Sequence, residues 1–245
     1  MKFMILGAGP GLPSLENDQS SLLVLANGLN ILIDCGEGVS KKLLKLGFNG
    51  NFLDAVIISH YHPDHISGLF MLMQMFYLEK RSKPLHLFLP ERPSALMEVM
   101  HLFYTFENRF PFRLQVHEVK DVELVLRGVS SFLTDHLRSY EDYLQTHHEI
   151  NQMYSFATLF TENAKNLLYT SDITTFANLE SAMDVADIVI VDALHPEADI
   201  ITALQDKQVS RVILTHGISD ELNNWLELHP HSKFACAQED VFYEL

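Results

Sequence analysis

The stretch Ser59-His60-Tyr61-His62-Pro63-Asp64-His65 decides how the rest of the chain is read. It offers metal-ligating side chains at His60, His62, Asp64 and His65, between a β-branched run, Asp54 to Ser59, and a segment, Ile66 to Lys80, that is apolar on nearly every side. The first reads as a buried strand and the second as a buried helix. Two apart in extended chain, His60 and His62 project the same way and can share one ion. Asp64 and His65 lie past the Pro63 turn and can address a second. Imidazole with carboxylate suits Zn, Mn or Fe. A chance histidine-rich surface turn would not sit between two core elements.

Working outward, the chain before this stretch reads as short strands, Phe3 to Leu6, Ser21 to Leu25 and Asn30 to Ile33, punctuated by Gly-Pro-Gly, Asn27-Gly28 and Cys35-Gly36. A helix over Val39 to Leu46 stops at Gly47. After the stretch, strands are expected at Leu85 to Leu89, Arg113 to Val119, Val122 to Leu126, Val129 to Thr134, Met153 to Phe160, Asn166 to Thr170, Ile188 to Val191 and Arg211 to Leu214. Helices are expected near Ser94 to Glu107, Asn178 to Val185, Ala198 to Lys207 and Ser219 to Glu227. No linker or repeat divides residues 1–245, so we expect one layered α/β domain, two sheets face to face with helices outside.

An ion needs more ligands than one loop supplies, and three further candidates follow apolar strands: His136 after Val129 to Thr134, Asp172 after Asn166 to Thr170, and His216 after Arg211 to Leu214. Sites built at strand ends converge. His147 and His148, in the loop before Met153 to Phe160, are the alternatives to His136; a solvated polar loop beside Glu149 is their plainer reading. His86, His101, His117, His229 and His231 have no ligand-like neighbours in sequence. At the end of the strand Ile188 to Val191, His195 in Asp192-Ala193-Leu194-His195 is placed either to protonate a leaving group or simply to start a helix before Pro196.

Composition narrows the function. The chain of 245 residues is 47% hydrophobic and 20% charged, enough for a sizeable core, and its net charge is −15, which repels a phosphate backbone and argues against nucleic acid as a partner. Thirteen His in this length are an excess that a metal site would partly explain. Two Cys, Cys35 and Cys236, make no disulfide framework, so a cytoplasmic protein is expected. Met1 to Leu6 is too brief for a signal peptide, and Ile66 to Leu78, broken by Gly68 and Gln74, falls short of the ~20 residues of a membrane span. One apolar face of Ile66 to Lys80 offers a homodimer contact, with core packing as the plainer alternative.

The chain resembles the metallo-β-lactamase superfamily and, within it, the ribonuclease Z-like branch. The resembling residues are Leu6-Gly7-Ala8-Gly9-Pro10-Gly11-Leu12-Pro13, Ile33-Asp34-Cys35-Gly36-Glu37-Gly38, the His-x-His-x-Asp-His run, Thr170-Ser171-Asp172 and Leu214-Thr215-His216. The resemblance implies a four-layer αββα sandwich with a two-metal site on one edge. It places His60, His62 and His136 on one metal, Asp64, His65 and His216 on the other, and Asp172 between them. Asp34 is implied to hold a ligand His in its working orientation. The opening glycines are not a dinucleotide fingerprint, because Pro10 and Pro13 forbid the helix such a loop must start.

Two cations about 3.5–4 Å apart turn a bridging water into hydroxide near neutral pH and offset charge on a phosphoryl or carbonyl oxygen. Asp64 both binds metal and orients that hydroxide. The sequence departs from ribonuclease Z in having Asp192-Ala193-Leu194-His195 where those enzymes resemble one another in His-Glu-Ala-Thr, and in lacking their basic, glycine-rich arm. The reading is therefore a hydrolase of a small phosphodiester such as a cyclic nucleotide, using two divalent ions, Zn before Mn or Fe. The alternatives are a ribonuclease Z-like endonuclease, a hydrolase of a carboxylic ester, thioester or lactam, and a non-catalytic metal-binding sensor.

Overall fold

The computed structural model describes residues 1–230 and 232–245; His231 lies outside the described residues. The first sheet is built from β1 (Lys2–Gly7), β2 (Ser21–Ala26), β3 (Leu29–Ile33), β4 (Ala55–Ile57), β5 (Leu85–Leu89) and β6 (Leu114–Glu118). The second contains β7 (Val129–Leu133), β8 (Phe156–Glu162), β9 (Lys165–Tyr169), β10 (Ile188–Ala193), β11 (Arg211–Ile218) and β12 (Phe234–Cys236), after which β13 (Phe242–Glu244) returns to pair with β1. The orders are β13-β1-β2-β3-β4-β5-β6 and β12-β11-β10-β9-β8-β7. Each sheet starts with three antiparallel strands, β1-β2-β3 and β7-β8-β9, and continues in parallel. The sequence carries no repeat that announces this likeness.

Three apolar interfaces make four layers. Phe3 and Ile5 of β1 face a core between the sheets that also holds Val24, Ile57, Phe88, Phe160 and Ile190. Their neighbours Met4 and Leu6 face outward, against the helices Val39–Lys45, Leu69–Leu78 and Pro93–Leu102. The outer face of the second sheet packs on the helices Glu180–Met183, Ala198–Thr202 and Asp220–Leu228. Strands apolar on both faces are what a sheet covered on both sides requires. This is the αββα sandwich.

Several local expectations are corrected. The helix expected over Ile66 to Lys80 is two, Pro63–Ile66 and Leu69–Leu78. Gly68 separates them at a backbone crossing so close that a Cβ there would lie 2.1 Å from the Gly36 carbonyl oxygen. The second helix buries Leu69, Leu72, Met73 and Phe76 but leaves Met71 and Leu78 exposed, so it is not covered on every side. Val122 to Leu126, expected as a strand, forms a short helix, Val122–Val125. It carries the chain from the edge of one sheet to the edge of the other, and that corner overrides β propensity. The helix Ser94 to Glu107 stops at Leu102, and the expected loop at His147 is a helix, Glu141–His147. Strands β12 and β13 were not expected; each has three residues, too short for a period to be seen. No described helix is long and apolar enough to cross a membrane.

Candidate metal centre

The C-terminal ends of several strands carry the candidate ligands. Asp34 follows β3, residues 59–65 follow β4, His136 follows β7, and Asp172 follows β9. His216 lies inside β11, not beyond it. There the register against β10 slips from Asp192↔Thr215 to Ala193↔Ile218, a bulge that holds His216 and Gly217 at positive φ and re-aims the imidazole. Asp34 and Ser171 are also left-handed, at φ 58° and 52°. Non-glycine residues in this conformation carry strain, and Asp34, Ser171 and His216 carry it at this site.

Asp172 is central. Its Oδ2 lies 3.7 Å from His60 Nε2, 3.5 Å from His136 Nε2 and 3.4 Å from His216 Nε2, while its Oδ1 lies 3.2 Å from His65 Nε2. Asp64 Oδ2 is 3.3 Å from His65 Nε2 and 3.8 Å from His216 Nε2. Two groups result, His60 with His62, His136 and Asp172, and Asp64 with His65 and His216; within each, the potential ligand atoms lie within 4.8 Å of one another. A third set, Asp172, His195 and His216, meets the same limit. His147 ends its helix and His148 caps it in left-handed conformation, both exposed, and neither joins these groups.

The donor set fits divalent cations. His60 Nε2 and His65 Nε2 are buried with no hydrogen-bond partner among the described residues, although carboxylate oxygens stand close to both. Buried polar atoms are rarely left so unless something coordinates them. Burial, reinforced by neighbouring His65, holds the His60 imidazole well below its usual value, and burial pushes His136 down to about 4. His62 is lowered for the same first reason. Neutral imidazole is the ligating form. On His65 burial opposes charge, but Asp172 and Asp34 on either side win and favour the imidazolium. For Asp172 burial favours the acid, and the surrounding His65, His216 and His60 reverse it, keeping a carboxylate at the centre.

The far sides of the rings are held too. His65 Nδ1 meets Asp34 Oδ2 at 2.8 Å, His60 Nδ1 meets Ser59 Oγ at 3.0 Å, and His216 Nδ1 meets Ser20 Oγ at 3.0 Å. Asp34 also accepts from Ser59 N–H, Ser59 Oγ–H and Tyr169 O–H. Ser171 Oγ–H donates to Ser59 Oγ at 2.7 Å, joining the two sheets behind the site. His195, partly exposed, has its Nδ1 2.9 Å from Asp192 Oδ2, and that hydrogen bond raises its imidazole above the usual range against the effect of burial. Sequence reasoning named Asp34 but missed Ser20, Ser59, Ser171, Tyr169 and Asp192. Ser59 had a signal in its adjacency to His60 and Asp192 in lying three residues before His195; Ser20, Ser171 and Tyr169 reach their partners only by folding.

The Gly-rich opening loop is pinned against the site. Lys42, buried on its helix, donates to the Leu6 carbonyl and to Glu239, both at 2.5 Å, and pairs with Asp18 at 2.7 Å. Glu239 Oε1 accepts from the N–H groups of Ala8 and Asp18.

The model of the family described as Anti-Pycsar protein Apyc1 matches residues 1–227. The chain belongs to that family. It is also 32% identical over 127 residues to the ribonuclease Z of Myxococcus xanthus, a match covering 52% of this chain and 40% of that protein. The chain spans less than half the length of the curated ribonuclease Z relatives it matches first. In fold, this Apyc1-family chain is similar to the metallo-β-lactamase fold protein YhfI from Bacillus subtilis, with TM-score 0.76, 19% identity, and coverage of 100% of this chain and 98% of that one. The short form of human tRNase Z has TM-score 0.73, 19% identity and coverage of 100% and 99%. The likeness to these structures shows the metallo-β-lactamase fold.

Proposed function

We propose that the chain is a metal-dependent hydrolase of a small phosphodiester, a cyclic nucleotide being one member of that class. The observation that carries this reading is the convergence of His60, His62, Asp64, His65, His136, Asp172 and His216, with two buried ring nitrogens that have no hydrogen-bond partner among the described residues. His60, His62, His136 and Asp172 would hold one cation, and Asp64, His65 and His216 a second, with Asp172 shared; Zn is the first choice. When bound, the cations supply Lewis acidity, lowering the pKa of water and offsetting charge on the phosphoryl oxygens.

The chain's own residues do the rest. Asp64 accepts a hydrogen bond from the attacking water and aims it. The water, having released one proton to solvent, bonds through its oxygen to phosphorus as the bond to the leaving alcohol oxygen breaks, and His195, oriented by Asp192, gives its proton to that oxygen. The products are a phosphomonoester and an alcohol. Phosphodiester chemistry is supported by the match to proteins named ribonuclease Z. A small substrate is supported by 17 basic residues against 32 acidic ones. The two cysteines, free and far apart in sequence, support a cytoplasmic setting. Exposed Met71 and Leu78 support a homodimer contact on that helix, which sedimentation of Met71→Glu tests.

The deciding experiment offers metal-loaded protein a bis-aryl phosphodiester, a cyclic nucleotide, a thioester and a precursor tRNA. Turnover of the diesters supports the reading. Cleavage of tRNA at low salt supports the second reading, a ribonuclease, which the same relatives favour. Full metal occupancy without turnover of any of them points to a sensor.

A further inference from the structure

The mouth of the metal centre differs from its floor. Tyr140 ends the turn His136–Tyr140 that begins with a candidate ligand, so one end of five residues is in the cluster and the other at its rim. Its ring stands edge-on to His62, centroids 6.1 Å apart, and its side chain is partly exposed; its hydroxyl has no hydrogen-bond partner among the described residues. Across the cluster, a Cβ on Gly11 would lie 3.5 Å from Asp64 Oδ2, which brings the opening loop over the site and carries exposed Leu12 beside it. Next to His216, Pro10 and Leu194 meet over Gly217, where a Cβ would lie 3.4 Å from the first and 3.5 Å from the second.

The segment bearing Tyr140 is braced at both ends. Before it, Asp135 accepts from the N–H groups of Thr174 and Thr175 at 2.9 and 3.0 Å. After it, the buried carboxylate of Glu91 accepts from the N–H groups of Gln152 and Met153 at 2.5 and 2.8 Å, and the Glu91 carbonyl accepts from Tyr61 between two candidate ligands. An aromatic ring in a braced segment, edge-on to His62 and partly open to solvent, is a platform for a flat, uncharged group.

Resting on the phosphodiester reading above, we propose that Tyr140 is a specificity-determining residue, stacking on a planar ring carried by the substrate, with Pro10, Leu12 and Leu194 forming the opposite wall. The ring comes from a nucleobase or from a simple aryl ester, and the test separates them.

Zinc-loaded wild type, Tyr140→Phe and Tyr140→Ala are titrated calorimetrically with uridine 5′-monophosphate, phenyl phosphate and ribose 5-phosphate, with metal content and melting temperature as controls. Loss of one stacked base by alanine substitution corresponds to about 5- to 150-fold in affinity. Tyr140→Ala should weaken uridine 5′-monophosphate by that factor and leave ribose 5-phosphate within about twofold, while Tyr140→Phe keeps both. A parallel loss for phenyl phosphate extends the subsite to any aryl group, and its absence restricts it to the nucleobase. Equal losses for the ringless and ring-bearing ligands, or none for either ring, overturn the proposal while the phosphate-ester reading stands. If wild type binds none of the three and turns over no phosphodiester, the underlying reading fails and this inference with it.

Discussion

His65 Nδ1 lies 2.8 Å from Asp34 Oδ2, and both side chains are completely buried, so the orientation of a candidate ligand in the βαβ turn is set by a carboxylate on the neighbouring strand. Such outer partners fix the tautomer and raise the basicity of the ligating nitrogen. Asp34→Asn keeps the size and one acceptor but loses the charge. Metal affinity, measured by competition with a chelator, is expected to fall about 10- to 100-fold. Unchanged affinity would show that Asp34 only braces the scaffold.

Asp172 touches both groups, so Asp172→Ala should strip both ions. Metal analysis after dialysis reads this directly. Retention of two ions per chain refutes the shared role.

The place of His195 at the edge of the cluster allows two roles, and one variant separates them. As proton donor, His195→Ala keeps full metal content and loses about 10²- to 10⁴-fold in turnover of a diester with a poor leaving group. Loss of an ion instead assigns it to the ligand set with Asp172 and His216. An unchanged rate removes it from the chemistry.

Asp135 predicts an acid-dependent stability. Burial favours its neutral form, but hydrogen bonds from the Thr175 hydroxyl and from the Thr175 and Thr174 N–H groups outweigh burial and hold the carboxyl below its ordinary value. A depressed folded pKa stabilises the fold above the unfolded value of about 3.9 and is lost as pH falls through the folded value. In chelator-treated protein, wild type should therefore lose melting temperature more steeply than Asp135→Asn as pH drops below about 4. Parallel curves would remove Asp135 from the acid response.

Arg81 is fully buried with no carboxylate in contact among the described residues; its guanidinium donates to the carbonyls of Gly50, Leu53, Lys83 and Pro84 and lies over Phe76 and Phe112. Arg81→Met would leave those carbonyls short of donors, and a loss of about 3 kcal/mol or more is expected in denaturant melts. A loss below about 1 kcal/mol would show that water replaces the guanidinium.

The sequence by itself determined the layered α/β sandwich and named the side chains that folding gathers at one edge. Period-two and doubly apolar runs are local signals, and His60 to His65 lies in one short segment whose geometry follows from β4 and the Pro63 turn. His136 and Asp172 were legible as polar residues after apolar strands, and His216 as one near the end of another, because strands that run the same way end on the same edge whatever their order.

Tertiary structure alone decided the rest. That His136 and not His147 meets His62 depends on the helix Glu141–His147, which carries the latter away and which no apolar face announced. The aim of His216 comes from a bulge against β10, a feature of pairing that one strand's sequence does not contain. Ser20, Ser171, Tyr169 and Glu239 act across separations of more than a hundred residues. A hydrogen bond between groups so far apart in the chain has no period and no spacing; it exists only once hydrophobic burial has brought two sheets together and left each buried polar atom in need of a partner.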